Sequence, residues 1–136
     1  MAGSGDKKSM AITQVVVASP AVETVFSDSA MGNTADAVKA SSAKLYSVTI
    51  DNTLNAGAST YVKLFNVAAG SVVVGTTSPD EIIFVPQGII VTRTYFTGAA
   101  MGVTFGTALS ACAVTTGGTA GAISPASAVV VSLNYV

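Results

Sequence analysis

At 136 residues the chain is long enough for one ordinary domain and too short for two comfortable ones. Half of its residues are hydrophobic and only 10% are charged, far below the roughly 25% of an average soluble chain. The net charge is −1, with six scattered basic residues, so the chain lacks the basic patch or stripe of a nucleic-acid binder.

So little charge fits either a membrane span or a surface covered by partners. A spanning helix needs roughly 20 consecutive apolar residues, and runs such as Ala128–Val131 and Ile82–Val85 are much shorter. The opening MAGSGDKKSM has lysines, but the apolar stretch behind it holds Thr13 and Gln14 and lacks a convincing cleavage site, so no secretory leader is expected. Covered surface remains. Charge depletion marks the cores of interfaces, and an obligate assembly is expected.

Residues 1–9 are rich in Gly, Ser and Lys and read as a flexible arm, either a loose end or one that orders on a neighbour. Met10–Ala18 reads as a first strand, stopped by Ser19-Pro20. Ala21–Phe26 reads as a short strand or an extended loop, and Ser27–Asp36 as a loop of small polar residues. Ala37–Ala40 leads through Ser41-Ser42 into Lys44–Asn52, which predicts a hairpin. Within Lys44–Asn52, Tyr46, Val48 and Ile50 alternate with Ser47 and Thr49, the period of a half-buried strand.

Tyr61–Ala68 also alternates, but both of its faces are apolar: Tyr61, Phe65 and Val67 flank Lys63 on one, and Val62 and Leu64 lie on the other. Such a strand meets another sheet or subunit on its second face. Glu81–Val85 and Ile89–Phe96 read as neighbouring strands about a Pro86-Gln87-Gly88 turn. Val103–Thr116 holds one or two strands bent at Gly106, Gly117–Ser127 is a Gly-rich loop, and Ala128–Val136 is a final strand with Val129, Val131, Leu133 and Tyr135 on one face. Helix signals are weak. These short strands and polar turns predict an all-β fold, a two-sheet β-sandwich or jelly-roll-like barrel of roughly seven to nine strands. Residues 10–136 form its single domain.

Catalytic groupings are hard to find. Cys112 is the only cysteine and the chain has no histidine, so a thiol nucleophile lacks its base and a zinc site lacks ligands. Asp80 and Glu81 are sequence neighbours, which a strand points to opposite faces. Asp28, Asn33 and Asp36 are a weak calcium pattern. Gly117–Gly121 has no following Lys-Ser/Thr and is no phosphate loop. No cofactor, metal or catalytic residue is expected.

Several segments resemble small β-sandwich virion proteins of tailed bacteriophages, of the capsid decoration (cement) type. They are Val38–Thr53 with its closing Asp51-Asn52-Thr53, Tyr61–Phe65, Gly75–Pro79 with its G-T-x-x-P pattern, Ile82–Gly88, ALSACAVTTGG and the terminal AVVVSLNYV. The resemblance runs from Val38 to Val136 and departs at FVPQGIIV, where a Gln precedes the glycine and bulkier residues follow. It implies a non-enzymatic protein on the virion exterior that binds the major capsid protein and itself, as a trimer or dimer. A tail, baseplate or fibre module that meets the host surface is the alternative. Candidate partner-binding residues are Lys7, Lys8 and Met10 in and beside the arm, and Tyr61, Phe65 and Tyr135 on strands.

Overall fold

A computed structural model describes residues 23–97 and 100–136 of the chain. The arm and the strand expected at Met10–Ala18 lie outside them. Eleven strands follow in order: β1 Thr24–Asp28, β2 Asp36–Lys39, β3 Ala43–Asp51, β4 Thr60–Phe65, β5 Glu81–Val85, β6 Ile90–Thr94, β7 Phe96–Thr97, β8 Ala100–Met101, β9 Val103–Phe105, β10 Leu109–Val114 and β11 Val130–Tyr135. A five-stranded sheet has the order β1-β11-β3-β6, with β9 also on β3. A four-stranded sheet has the order β2-β10-β4-β5, and β7 and β8 form a small hairpin. All pairings are antiparallel. The chain is an all-β sandwich.

Alternation builds the core. Leu45, Val48, Ile50, Val131 and Leu133 of the five-stranded sheet meet Val62, Leu64, Ile83, Val85, Leu109, Ala111 and Ala113 of the four-stranded sheet in one buried cluster. Each large aliphatic side chain there contributes about 1.5–3 kcal/mol of burial before entropy. Val129, Val131 and Leu133 face inward as their spacing predicts, and Tyr135 packs against the cluster from its rim.

Two expected pairings do not form. β2 and β3 lie in opposite sheets rather than in a hairpin. Val38 and Leu45 enter the same core from opposite walls, and Ser41-Ser42 lacks the Asn-Gly chemistry of a tight hairpin turn. Likewise β5 pairs with β4 while β6 pairs with β3. The Pro86–Gly88 link, with Gly88 at φ 71°, carries the chain from one sheet to the other, so the two strands edge the same side of the sandwich. Gly106 does mark a break, and β9 and β10 on either side of it belong to different sheets.

β3 is long enough to hold two partners on one edge. β6 pairs with Ser47–Asp51 and β9 with Ala43–Leu45. Between them the chain leaves the sheet as the β7–β8 hairpin, closed at its base by Gly102 N–H to Tyr95 O at 2.8 Å. The departure falls opposite Tyr46, where the β3–β11 register also shifts. Gly102 has φ 96°, and a Cβ there would lie 2.9 Å from Lys44 Cγ; glycine alone fits that return.

A buried amide knot fixes one end of the sandwich. Asn52 Nδ2 donates to Ala58 O and Pro86 O, both at 3.1 Å, and its Oδ1 accepts from Thr60 Oγ1 and Asn55 Nδ2. Asn55 in turn bonds Ser127 through both its amide groups. Three loops are thereby tied together. Asp51 caps the turn by accepting from Thr53 N–H at 2.9 Å, the turn role its sequence position suggests.

Candidate interaction surface

The reactive side chains turn inward. Cys112 is fully buried in β10, and burial pushes its thiol up to about 11, against a smaller downward pull from Lys63. Lys63 sits opposite it on β4 and is also fully buried. Its Nζ donates to Gly121 O at 2.6 Å and Thr119 O at 3.1 Å, and burial lowers its pKa. The Gly-rich loop is thus a lid of carbonyls on a lysine. No pocket opens among the described residues, and none of their acidic, His or Cys side chains gather in threes.

Each open flank of the sandwich carries one ionisable pair between the two sheets. On the β5/β6 flank, Arg93 donates to Glu81. Burial, and then the Glu81 carboxylate, hold the neighbouring Tyr95 phenol far above its usual range. On the β1/β2 flank two carboxyls meet. Burial first, then the hydrogen bond and charge of Asp28, push Asp36 up to about 6. Both acids were visible in the sequence, but their pairing required β1 and β2 to fall in opposite sheets.

The outer face of the five-stranded sheet is accessible along its strands. Register places Ser27, Ser132, Thr49 and Thr92 in one row across four strands. Thr49 and Thr92 hydroxyls lie 3.2 Å apart, and Ser27 and Ser132 hydroxyls 3.4 Å apart. The next row is Val25, Asn134, Ser47 and Thr94. Asp51 pairs with Ile90 at one end of β3 and Lys44 with Thr104 at the other. The centre of the face is therefore hydroxyl-rich and uncharged.

Among the described residues β1 and β6 are the two edges of this sheet, each with one partner. Tyr95 N–H donates to Tyr46 O, and Ile89 O accepts from Asn52 N–H. By antiparallel alternation, Ile90, Thr92 and Thr94 aim their backbone groups away from β3, where no described residue meets them. Apolar side chains mark both ends of the edge: Ile89 and Ile90 are 44% and 56% exposed, and Phe96 and Met101 on the hairpin are 68% and 48% exposed.

Of the residues the sequence singles out, Lys7, Lys8 and Met10 lie outside the described residues. Phe65 is fully buried and packs with Cys112 and Val114 under the chain's own Val67, Val72 and Val74. Tyr61 is half-buried against the same cluster, its ring 5.3 Å from that of Phe84. Tyr135 packs on the core rim. None of these three lies on the β6 edge. The residues that do had a readable signal, the alternation Ile90, Thr92, Thr94, but only topology shows that β6 has one partner among the described residues.

No protein-family model matches the chain, and no curated protein or solved structure matches it.

Proposed function

We propose that this chain is a non-enzymatic structural protein of a phage virion, a capsid decoration protein that bridges and stabilises major capsid subunits. One observation carries the reading: a sheet edge with no partner among the described residues, apolar at both ends, borders a face whose centre has no charge. Such a surface suits a protein–protein contact with little desolvation cost. The segment pattern from Val38 to Val136 that resembles decoration proteins supports the particle assignment. The buried thiol of Cys112 and the carbonyl-bound ammonium of Lys63 support a role without chemistry. Many modest contacts repeated over a shell become effectively permanent.

The second reading is a tail, baseplate or fibre module, favoured by exposed Phe96 and Met101 on a hairpin that leaves the sheet. Quantitative mass spectrometry of purified particles separates the two. The decoration reading expects a copy number comparable to the major capsid protein. A few rings' worth of copies supports the tail reading, and absence from particles overturns both.

A further inference from the structure

We infer that the Asp28–Asp36 carboxyl pair is an acid-closed clasp on the loop that covers Lys63 and Cys112, so that this lid loosens as the pair loses its shared proton. The inference concerns the buried side of the molecule and does not rest on the particle reading.

Register brings the two acids together. Residues opposite one another in a sheet share a face. Asp28 lies opposite Val131, and Asp36 opposite Ala111, both of them core residues. The carboxyls therefore face each other from opposite sheets, at the flank that β1 and β2 share, and a hydrogen bond joins them. Ala30 N–H holds Asp28 Oδ1 at 2.8 Å, which favours the carboxylate there and leaves the proton to Asp36. Without that proton, two anions meet in a partly buried seam, where like charges repel.

A continuous set of hydrogen bonds runs from the clasp to the lid. Residues 29–35 join β1 to β2, with the clasp at their base. Met31 N–H donates to Val129 O at 3.0 Å, and Gly32 O accepts from Ala113 N–H, beside Cys112, at 2.8 Å. Asn33 reaches the lid twice: its N–H donates to Ser124 Oγ at 2.9 Å and its Nδ2 to Ala122 O at 2.7 Å. The carbonyl before Ala122, Gly121 O, is the one that holds Lys63 Nζ at 2.6 Å. Neither loop 29–35 nor loop 115–127 contains an ionisable side chain. Of the neighbouring titratable groups, Glu23 precedes β1, Lys39 lies farther along β2 and Tyr135 at the far end of β11. Cys112 and Lys63 lie on the outer side of β10 and β4. Burial and then Asp28 are what act on Asp36.

The reaction of Cys112 with a dipyridyl disulfide, taken as a ratio to the rate of the urea-unfolded full chain at the same pH, tests the inference. Native and unfolded thiols both titrate above the acidic-to-neutral window, so ionisation cancels in the ratio. Asp36 is raised from 3.8 to about 6. With the ordinary value restored on opening, the ratio rises about tenfold from about pH 5 to about pH 7. Asp36→Asn donates to Asp28 at every pH and flattens the profile. Asn33→Ala cuts the tie to Ala122 and weakens the rise, while carboxyl-carbon NMR still shows Asp36 titrating. Should Asp36→Asn fail to fold, Asp28→Asn replaces it, with the donor on the other strand. Amide exchange in β3, corrected for its intrinsic pH dependence, separates lid opening from global unfolding. A ratio constant over this window, a rise unchanged by Asp36→Asn or Asn33→Ala, or a rise that the β3 amides follow overturns the inference.

Discussion

The two sheets of this sandwich share a core but treat their outer faces in opposite ways. The four-stranded sheet buries the outside of its two central strands beneath its own chain. Phe65, Cys112 and Val114 lie under Val67, Val72 and Val74, and the Thr119–Gly121 carbonyls close over Lys63. The five-stranded sheet leaves its outside to rows of serine and threonine hydroxyls. The difference is written strand by strand. β4 and β10 are buried on both faces, every residue of β10 included, whereas β3 and β11 alternate. An apolar second face shows where a chain covers itself. A hydroxyl second face shows where water or a partner is accepted.

The contrast can be broken from the covered side first. Lys63→Ala removes a fully buried stem and leaves two carbonyls without a donor. A loss of roughly 2–4 kcal/mol in urea unfolding is expected; a loss under about 1 kcal/mol means that the loop does not depend on the lysine. Burial lowers the Lys63 pKa from 10.5, so folding disfavours its charged form relative to the unfolded chain. The cost of the buried ammonium is present below the lowered pKa and fades as the pH rises toward 10.5.

Gly121→Ala attacks the lid itself. A Cβ there would stand 2.0 Å from Thr116 O, so the loop must shift, at about 1–3 kcal/mol. Cys112 is expected to react faster with a thiol reagent under native conditions. Unchanged reactivity would show that the lid does not shield it.

A smaller effect is expected where the sheets meet at the β1/β2 flank. The Asp36 pKa is raised from 3.8 to about 6, above its unfolded value. Its contribution is therefore fully present below about pH 4 and is lost as the pH rises through about 6. Asp36→Asn keeps a donor for Asp28 at every pH, so the variant's Tm should fall less than the wild type's over that window. Parallel Tm curves would show that the two carboxyls do not share a proton.

The smallest effect belongs to the open face. Thr49→Val and Ser132→Ala are expected to change stability by at most about 0.5 kcal/mol in thermal melts. A loss above about 1 kcal/mol would mean that the face is covered in the folded protein, and the contrast between the sheets would disappear.

Much of the fold was legible in the residues. Glu81–Val85 forms a strand over its predicted span, and Val129, Val131 and Leu133 face the core as their alternation requires. The doubly apolar face of Tyr61–Val67 was also readable, but what covers it was not. An alternating strand says that a face is buried, while only tertiary structure shows that loops 66–80 and 115–125 do the covering rather than another subunit. Lys63, on an otherwise apolar face, gave no hint of its carbonyl partners, which are more than fifty residues away in sequence. The hairpin expected through Ser41-Ser42 failed for a related reason: period two reports a strand's face but not its sheet. The β6 edge was missed because having one neighbour instead of two is a property of topology, not of composition.

β11 lies between β1 and β3, pairing Tyr135 with Thr24 on one side and Val131 with Ile50 on the other. A chain emerging from the ribosome therefore carries β1 and β3 long before the strand that joins them exists. The four-stranded sheet is complete once β10 has appeared, but the five-stranded sheet must wait for Val130–Tyr135. Pairings between such distant segments close slowly, because loop entropy is lost before contacts compensate it. The open face and its edge are thus assembled last. Chains that stop before Val130 lack the strand that joins β1 to β3, so they never present this face.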